Sequence, residues 1–155
     1  MKKLQMDDAG KVDFVRITRD INLFASMMNI GVMETILSRV EFYEFAPGDK
    51  VFRQGGAGDA FYAVLSGRLK VSVREAFLFS RKIAELKDGD FFGEMALVNR
   101  APRSATVACE TASRVFMLRS DDFQAAMREN PKFSEEIKKL ASDRLFELKY
   151  GSSGQ

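Results

Sequence analysis

The sequence predicts a mainly β domain, an antiparallel sandwich, roll or barrel set between two helical segments. Three observations carry this. Residues 1–40 place apolar side chains near helical spacing. From Glu41 to Leu118 the chain breaks into short apolar runs, each closed by Gly, Pro, Asp or Ser, and one of them alternates strictly. After Leu118 the helical period returns.

In chain order, Val12, Val15, Ile17 and Ile21 open the helical pattern, and Leu23, Met27, Ile30, Met33, Ile36 and Leu37 continue it to near Val40. Gly31 is expected to split this stretch into separate helices. Phe42–Phe45 then leads into the turn Ala46-Pro47-Gly48-Asp49, followed by Val51–Arg53 and the glycine-rich turn Gly55–Asp59. Ala60–Leu65 is the next strand candidate. After Ser66-Gly67, Leu69, Val71 and Val73 alternate with Lys70, Ser72 and Arg74. Lys82–Lys87, Thr106–Cys109 and Val115–Leu118 complete the strands. The hairpin Glu75–Ser80 carries four apolar residues where a polar tip is usual, so it either tucks back on the sheet or stands clear as a partner or dimer surface. Ser120 is placed to cap a helix over Asp121–Arg128, with Asp121 and Asp122 favourable in its first turn. Asn130-Pro131 restarts the helix, and Phe133, Ile137, Leu140, Leu145 and Leu148 form an apolar stripe to about Tyr150. Gly151–Gln155 reads as a flexible, linker-like tail.

Composition narrows the chemistry. A chain of 155 residues fits one domain, and 46% hydrophobic with 30% charged residues is ordinary for a globular protein. A net charge of +2 supplies no field that would make nucleic acid or a membrane surface the main partner. With no histidine and one cysteine, Ser-His and Cys-His catalysis and the common zinc sites are excluded. Cys109 is expected to be a buried free thiol in a reducing compartment. Met1–Gly10 is polar and lacks the apolar core of a signal peptide, and no stretch nears the roughly 18 apolar residues of a membrane span. A cytoplasmic, non-enzymatic protein with no metal and no cofactor is the expectation.

The informative stretch is Phe91 to Ala108. Gly93 permits a left-handed backbone or a close approach to a ligand. Glu94–Val98 suffices for one helical turn, whose free N–H groups favour an anion. Asn99–Pro102 is a turn, and Arg103 is expected to begin the next strand. Arg103 and the Ser104 hydroxyl beside a helix start suit a phosphate, and Glu94 suits a sugar hydroxyl. Taken as isolated residues, Glu94 and Arg103 equally describe a salt bridge on a surface turn.

Phe92-Gly93-Glu94, Ala96-Leu97 and Pro102-Arg103-Ser104-Ala105 together resemble the phosphate-binding cassette of the cyclic-nucleotide-binding domain family, with that family's spacing from glutamate to arginine. Leu23-Phe24, Phe45–Val51, Gly55–Asp59, Phe61-Tyr62 and Gly67–Val71 extend the resemblance over about Val12 to Tyr150. It implies an antiparallel β-roll (double-stranded β-helix, jelly-roll-like) flanked by N-terminal and C-terminal α-helices. The single domain 1–155 then divides into helices 1–40, a roll 41–119 with its cassette at 92–105, lid helices 120–150 and a tail 151–155. Arg103 would hold the exocyclic oxygens of a cyclic phosphate and Glu94 the ribose 2′-hydroxyl. Backbone around Gly93, Met95, Ala96 and Ser104 would complete the contacts, and Ala105 would leave room for the phosphate. Val71, Ala84 and Leu86 would line the base, with lid contacts from Arg144, Leu145, Leu148 and Tyr150. The implied ligand is cAMP or cGMP, with cAMP favoured because the Arg-Ser-Ala run is similar to bacterial activators. The implied partners are an effector protein or domain and a second copy in a homodimer, with no direct nucleic-acid binding and no membrane insertion. No helix-turn-helix segment of the bacterial activators lies within the 155 residues. The alternative is a roll that has lost its ligand and serves as a protein–protein interaction module.

Overall fold

The computed structural model describes residues 1–19, 30–76, 79–97, 100–129 and 135, and the side chains of Ile30, Gly31, Ala76, Glu94 and Met95 are not described. Two antiparallel sheets form its centre. One has the order β1 (Lys2–Leu4), β2 (Glu41–Phe45), β9 (Ser113–Arg119), β4 (Ala60–Ser66), β7 (Phe91–Phe92). The other runs β3 (Lys50–Phe52), β8 (Thr106–Cys109), β5 (Arg68–Ala76), β6 (Phe79–Lys87). Helices α1 (Asp8–Thr18), α2 (Ile30–Leu37) and α3 (Ser120–Arg128) complete the described elements with a 3-10 turn at Glu94–Leu97.

Side-chain parity explains the layering. On β4, Phe61 and Ala63 face a cluster with Phe14, Val32, Ile36 and Phe123 from the helices. Ala60, Tyr62 and Val64 face the other cluster, with Leu69, Val71, Leu86 and Val107 of the second sheet. The first sheet is therefore covered on both faces, which is why Ala60–Val64 is buried without a polar break. Among the described residues, the second sheet is covered on one face. Its alternation of Leu69 and Val71 with exposed Lys70 follows from that.

Several sequence expectations are corrected. Gly31 is the second residue of α2, and residues 20–29 ahead of it, where the expected break would fall, lie outside the described residues. The N-terminal 40 residues are not wholly helical: β1 pairs Lys2–Leu4 with Glu44–Phe42, a three-residue edge strand that only its partner creates. Val12 is 67% exposed, and α1 instead buries Gly10, Phe14, Ile17 and Thr18, with Asp7 as its N-cap accepting from the Gly10 amide. Ser120 is not a cap but the first residue of α3, because its hydroxyl is engaged elsewhere. The β5–β6 hairpin does not tuck back at Phe79, which is 72% exposed, and Glu75 and Arg81 pair across its neck at 2.6 Å. Phe77 and Leu78 lie outside the described residues, as do Ile21, Leu23, Phe24 and Met27 of the N-terminal pattern. Cys109 is buried, as expected, and burial pushes its thiol pKa up.

Glu41 ties three strands of the first sheet. Its carboxylate accepts from Tyr43 Oη at 2.7 Å and Arg119 Nε at 2.8 Å, and pairs with Lys3 Nζ at 3.0 Å. Burial raises its pKa, but the bonds from Tyr43, Lys3 and Arg119 outweigh this and lower it from 4.5 to about 2. A folded-state pKa below the unfolded one stabilises above the unfolded value and loses that contribution as pH falls through the folded one. Thermal unfolding should therefore show stability lost between pH 4.5 and about 2, and Glu41→Gln should flatten that loss. An unchanged acid profile in the variant would remove Glu41 from this role.

Candidate functional site

The glycine-rich turn after β3 and the segment before β8 form the floor of the site. Gly55 N–H donates to Arg103 O and Arg103 N–H to Gly56 O, both at 2.8 Å. Arg103 thus pairs with the glycine turn ahead of β8 instead of opening that strand as expected. The two segments touch so closely that a Cβ on Gly58 would lie 2.3 Å from Ala101 O. Gln54 adds two ties, its N–H to Thr106 Oγ1 at 2.9 Å and its Oε1 from Arg74 N–H at 2.7 Å. This backbone lattice fixes where the Arg103 side chain starts.

The side chain then runs inward. Arg103 is 8% exposed, so it is not half of a surface salt bridge. Its Nη2 donates to Ala60 O at 2.7 Å. The guanidinium carbon sits 4.1 Å from the centre of the Phe52 ring and 5.8 Å from that of Tyr62. Asp59 Oδ1 stands 3.9 Å from Nη2, on a side chain that is 61% exposed. Nε is buried with no hydrogen-bond partner. Burial lowers the guanidinium pKa, opposed by Tyr62 and Asp59, yet an arginine stays charged. The result is a desolvated cation with an unused donor, an arrangement suited to an anion.

Gly93 makes room for it. Its φ of +76° is left-handed, and a Cβ there would lie 2.8 Å from Arg103 Nη1 and 3.1 Å from Ala60 O. The 3-10 turn Glu94–Leu97 follows, its backbone placing Glu94 and Met95 directly after Gly93. Ala96 N–H closes onto Gly93 O at 3.0 Å, so this amide is already used within the turn. At the far end of the turn, Ser120 Oγ donates to Ala96 O at 2.5 Å and Gln124 Nε2 to Leu97 O at 2.9 Å. Arg100 pairs with Asp121, and Ser120 N–H donates to Asp59 O at 2.8 Å. The start of α3 is therefore tied to both the turn and the strand that anchors Arg103.

The expected wall residues share one interior. Val71, Leu86 and Ala105 are buried in the cluster between the sheets, and Ala84 packs against it. Val71 pairs with Ala84 and Leu69 with Leu86, while a register shift after Val71 brings Ile83 into the same cluster. Ser104 is exposed. Arg144, Leu145, Leu148 and Tyr150 lie outside the described residues. Sequence reasoning missed Phe52, Tyr62, Asp59 and Ile83. The first two were visible only as aromatic residues in predicted strands, and nothing local signals that Arg103 lands on them. Among the described residues, no group of acidic or cysteine side chains could hold a metal, and no helix is long and apolar enough to cross a membrane.

Comparison with known proteins agrees with this geometry. The model of the cyclic nucleotide-binding domain matches residues 42–130. The human potassium/sodium hyperpolarization-activated cyclic nucleotide-gated channel 3 is 34% identical over 113 residues, 73% of this chain. The chain spans only 14% of that channel's length. Among solved structures, the N-terminal domain of a transcriptional regulator from Streptomyces coelicolor A3(2) superposes with a TM-score of 0.74 at 23% identity, covering 88% of this chain and 97% of that one. The regulatory domain of Toxoplasma gondii PKA, solved with cAMP, gives 0.66 at 23% identity over 86% of this chain and 50% of that one. At these identities the two structures speak for the β-roll fold, and the matched family model speaks for the lineage. With a cassette arginine buried where an anion is called for and a family model matching the roll around it, the chain belongs to the cyclic nucleotide-binding domain family.

Proposed function

We propose that the chain is a receptor domain for a cyclic nucleotide, cAMP in preference to cGMP, and that it regulates an effector protein or domain through its C-terminal helices. The family is regulatory rather than catalytic. One observation carries the reading of the ligand: Arg103 is buried against the Gly93 backbone, where a Cβ would lie 2.8 Å from Nη1, and its Nε has no partner. A cyclic phosphate supplies the missing acceptor, and a bidentate arginine–phosphate contact is stronger than a neutral hydrogen bond. Glu94 takes the ribose 2′-hydroxyl, with the backbone of Gly93, Met95 and Ser104 beside the phosphate and sugar. Because the Ala96 amide closes the turn, Ala96 contributes its small size instead of a donor. Ala105 leaves space for the phosphate, and the Ser104 hydroxyl reaches the phosphate or a purine amino group. Val71, Ala84 and Leu86 line the base.

Residues 1–155 act in this reading as one cytoplasmic unit, the roll 41–119 receiving the ligand and 120–150 reporting it. The bonds from Ser120 and Gln124 to the turn support the coupling, since a shift of Ala96 and Leu97 must be felt at α3. A ligand moves this equilibrium only by binding one position of the helix more tightly than the other. Arg144, Leu145, Leu148 and Tyr150 are the proposed lid contacts on the base, and a homodimer is a proposed assembly. The reading as an interaction-only roll is less favoured, because both Glu94 and Arg103 are present.

Titration calorimetry should show Arg103→Ala weakening cAMP binding more than about tenfold, the scale of a lost charge-assisted bond of roughly 1.5–3 kcal/mol. Unchanged affinity would remove Arg103 from the site. In a thermal-shift series, cAMP at about 100 times its Kd should add about 2.7 kcal/mol of stability, with cGMP less effective at equal concentration. No shift with either nucleotide would favour the interaction-only roll. Ser120→Ala leaves Ala96 O unsatisfied, so stability should fall by about 1–3 kcal/mol. The same variant should bind cAMP while losing ligand-dependent hydrogen-exchange protection over 120–150. Protection that persists as in the wild-type chain would overturn the coupling.

A further inference from the structure

A guanidinium has two chemically different surfaces, a flat face and an edge of N–H donors. Cζ of Arg103 lies over the Phe52 ring, 4.1 Å from its centre, with the Tyr62 ring further away at 5.8 Å. Among the described residues, the edge makes one hydrogen bond, to Ala60 O at 2.7 Å. Asp59 at 3.9 Å is beyond hydrogen-bonding reach, and Nε is without a partner. Phe52 is itself held in place. Its ring lies 5.8 Å from both Tyr62 and Phe92, and those two stack on each other at 5.1 Å.

A carboxylate would compensate a buried arginine by occupying its donor edge, the same edge an anionic ligand needs. An aromatic ring compensates the charge through its π face and supplies no lone pair, so the buried Nε–H keeps its need for an acceptor. We propose that Phe52 is a positioning residue for ligand binding: it forms an aromatic platform that keeps the Arg103 guanidinium in place and desolvated while its Nε–H waits for a phosphate acceptor. This rests on the reading of the site as one for a cyclic nucleotide. Phe52 touches Arg103, not the ligand. Loss of the ring frees the guanidinium to swing toward Asp59, whose exposed carboxylate then competes with the phosphate.

The test is calorimetric titration of cAMP and of cGMP into the full chain as wild type, Phe52→Leu and Phe52→Tyr. Phe52→Leu should weaken binding about tenfold, while Phe52→Tyr, which keeps the ring, should stay within about twofold, as expected of a desolvated cation–π contact. The Arg103 Nε–H resonance of the ligand-free wild type should also show the upfield shift of a group lying over a ring. Leucine binding like wild type overturns the platform. So does tyrosine binding as weakly as leucine, which would make the effect one of packing volume. If Phe52→Leu fails to fold, the tyrosine variant and the wild-type resonance decide, and an unshifted resonance overturns the proposal. A wild-type chain that binds neither nucleotide overturns the reading of the ligand and the platform with it, whereas wild-type binding with leucine unaffected overturns the platform alone.

Discussion

A positive charge held out of water, with the Asp59 carboxylate just short of hydrogen-bonding reach, is the constraint around which this domain is arranged. Burying a charge is costly unless something compensates it. Among the described residues the compensation is distributed over one backbone carbonyl, the face of an aromatic ring and the exposed Asp59 carboxylate 3.9 Å away. Each needs its own support. The carbonyl belongs to Ala60 at the start of a strand buried on both faces, so it cannot drift. The ring belongs to an aromatic group that spans both sheets. The main chain of Arg103 is pinned by two reciprocal hydrogen bonds to glycines of a turn that a single Cβ would push away.

That arrangement explains why the site sits where the sheets meet. Phe52 comes from the second sheet, and Tyr62 and Phe92 from the first. The interior cluster continues from them through Ala105 to Val71 and Leu86, so the aromatic group beside the charge and the apolar wall belong to one cluster. On the opposite face of the first sheet, the helices pack through Phe14, Ile36 and Phe123. The start of α3 bridges these two sides, bonding to the turn beside the arginine and to the main chain of Asp59. A change at Gly93–Leu97 therefore has a short, direct route to the helix that leaves the roll.

Much of this was legible in the residues. The turns at Pro47-Gly48 and Gly55–Gly58 mark strand ends, and the alternation on β5 marks a sheet with one wet face. Ala60–Val64 was legible as an apolar run. Its burial between helices and a second sheet was not, because a run without alternation states only that neither face is wet. Ser120 shows the limit of local rules. Its type and position fit a cap, but a hydroxyl 2.5 Å from the carbonyl of a turn distant in the chain is a stronger claim on it.

Glycines, proline and the alternating apolar runs determined by themselves that short strands are joined by tight turns, because turn chemistry is a property of residue types in sequence, whereas the cassette around Arg103 was legible only through its resemblance to a family. What Arg103 rests on was decided only by the tertiary structure. Phe52, Tyr62, Ala60 and Asp59 come from two different strands and a turn, and a cation–π contact leaves no periodic trace in a chain. The sequence names Arg103 as the charge at the centre of the cassette. The fold alone brings the Phe52 ring to this charge, since long-range packing is what places a strand residue against a side chain distant in the sequence.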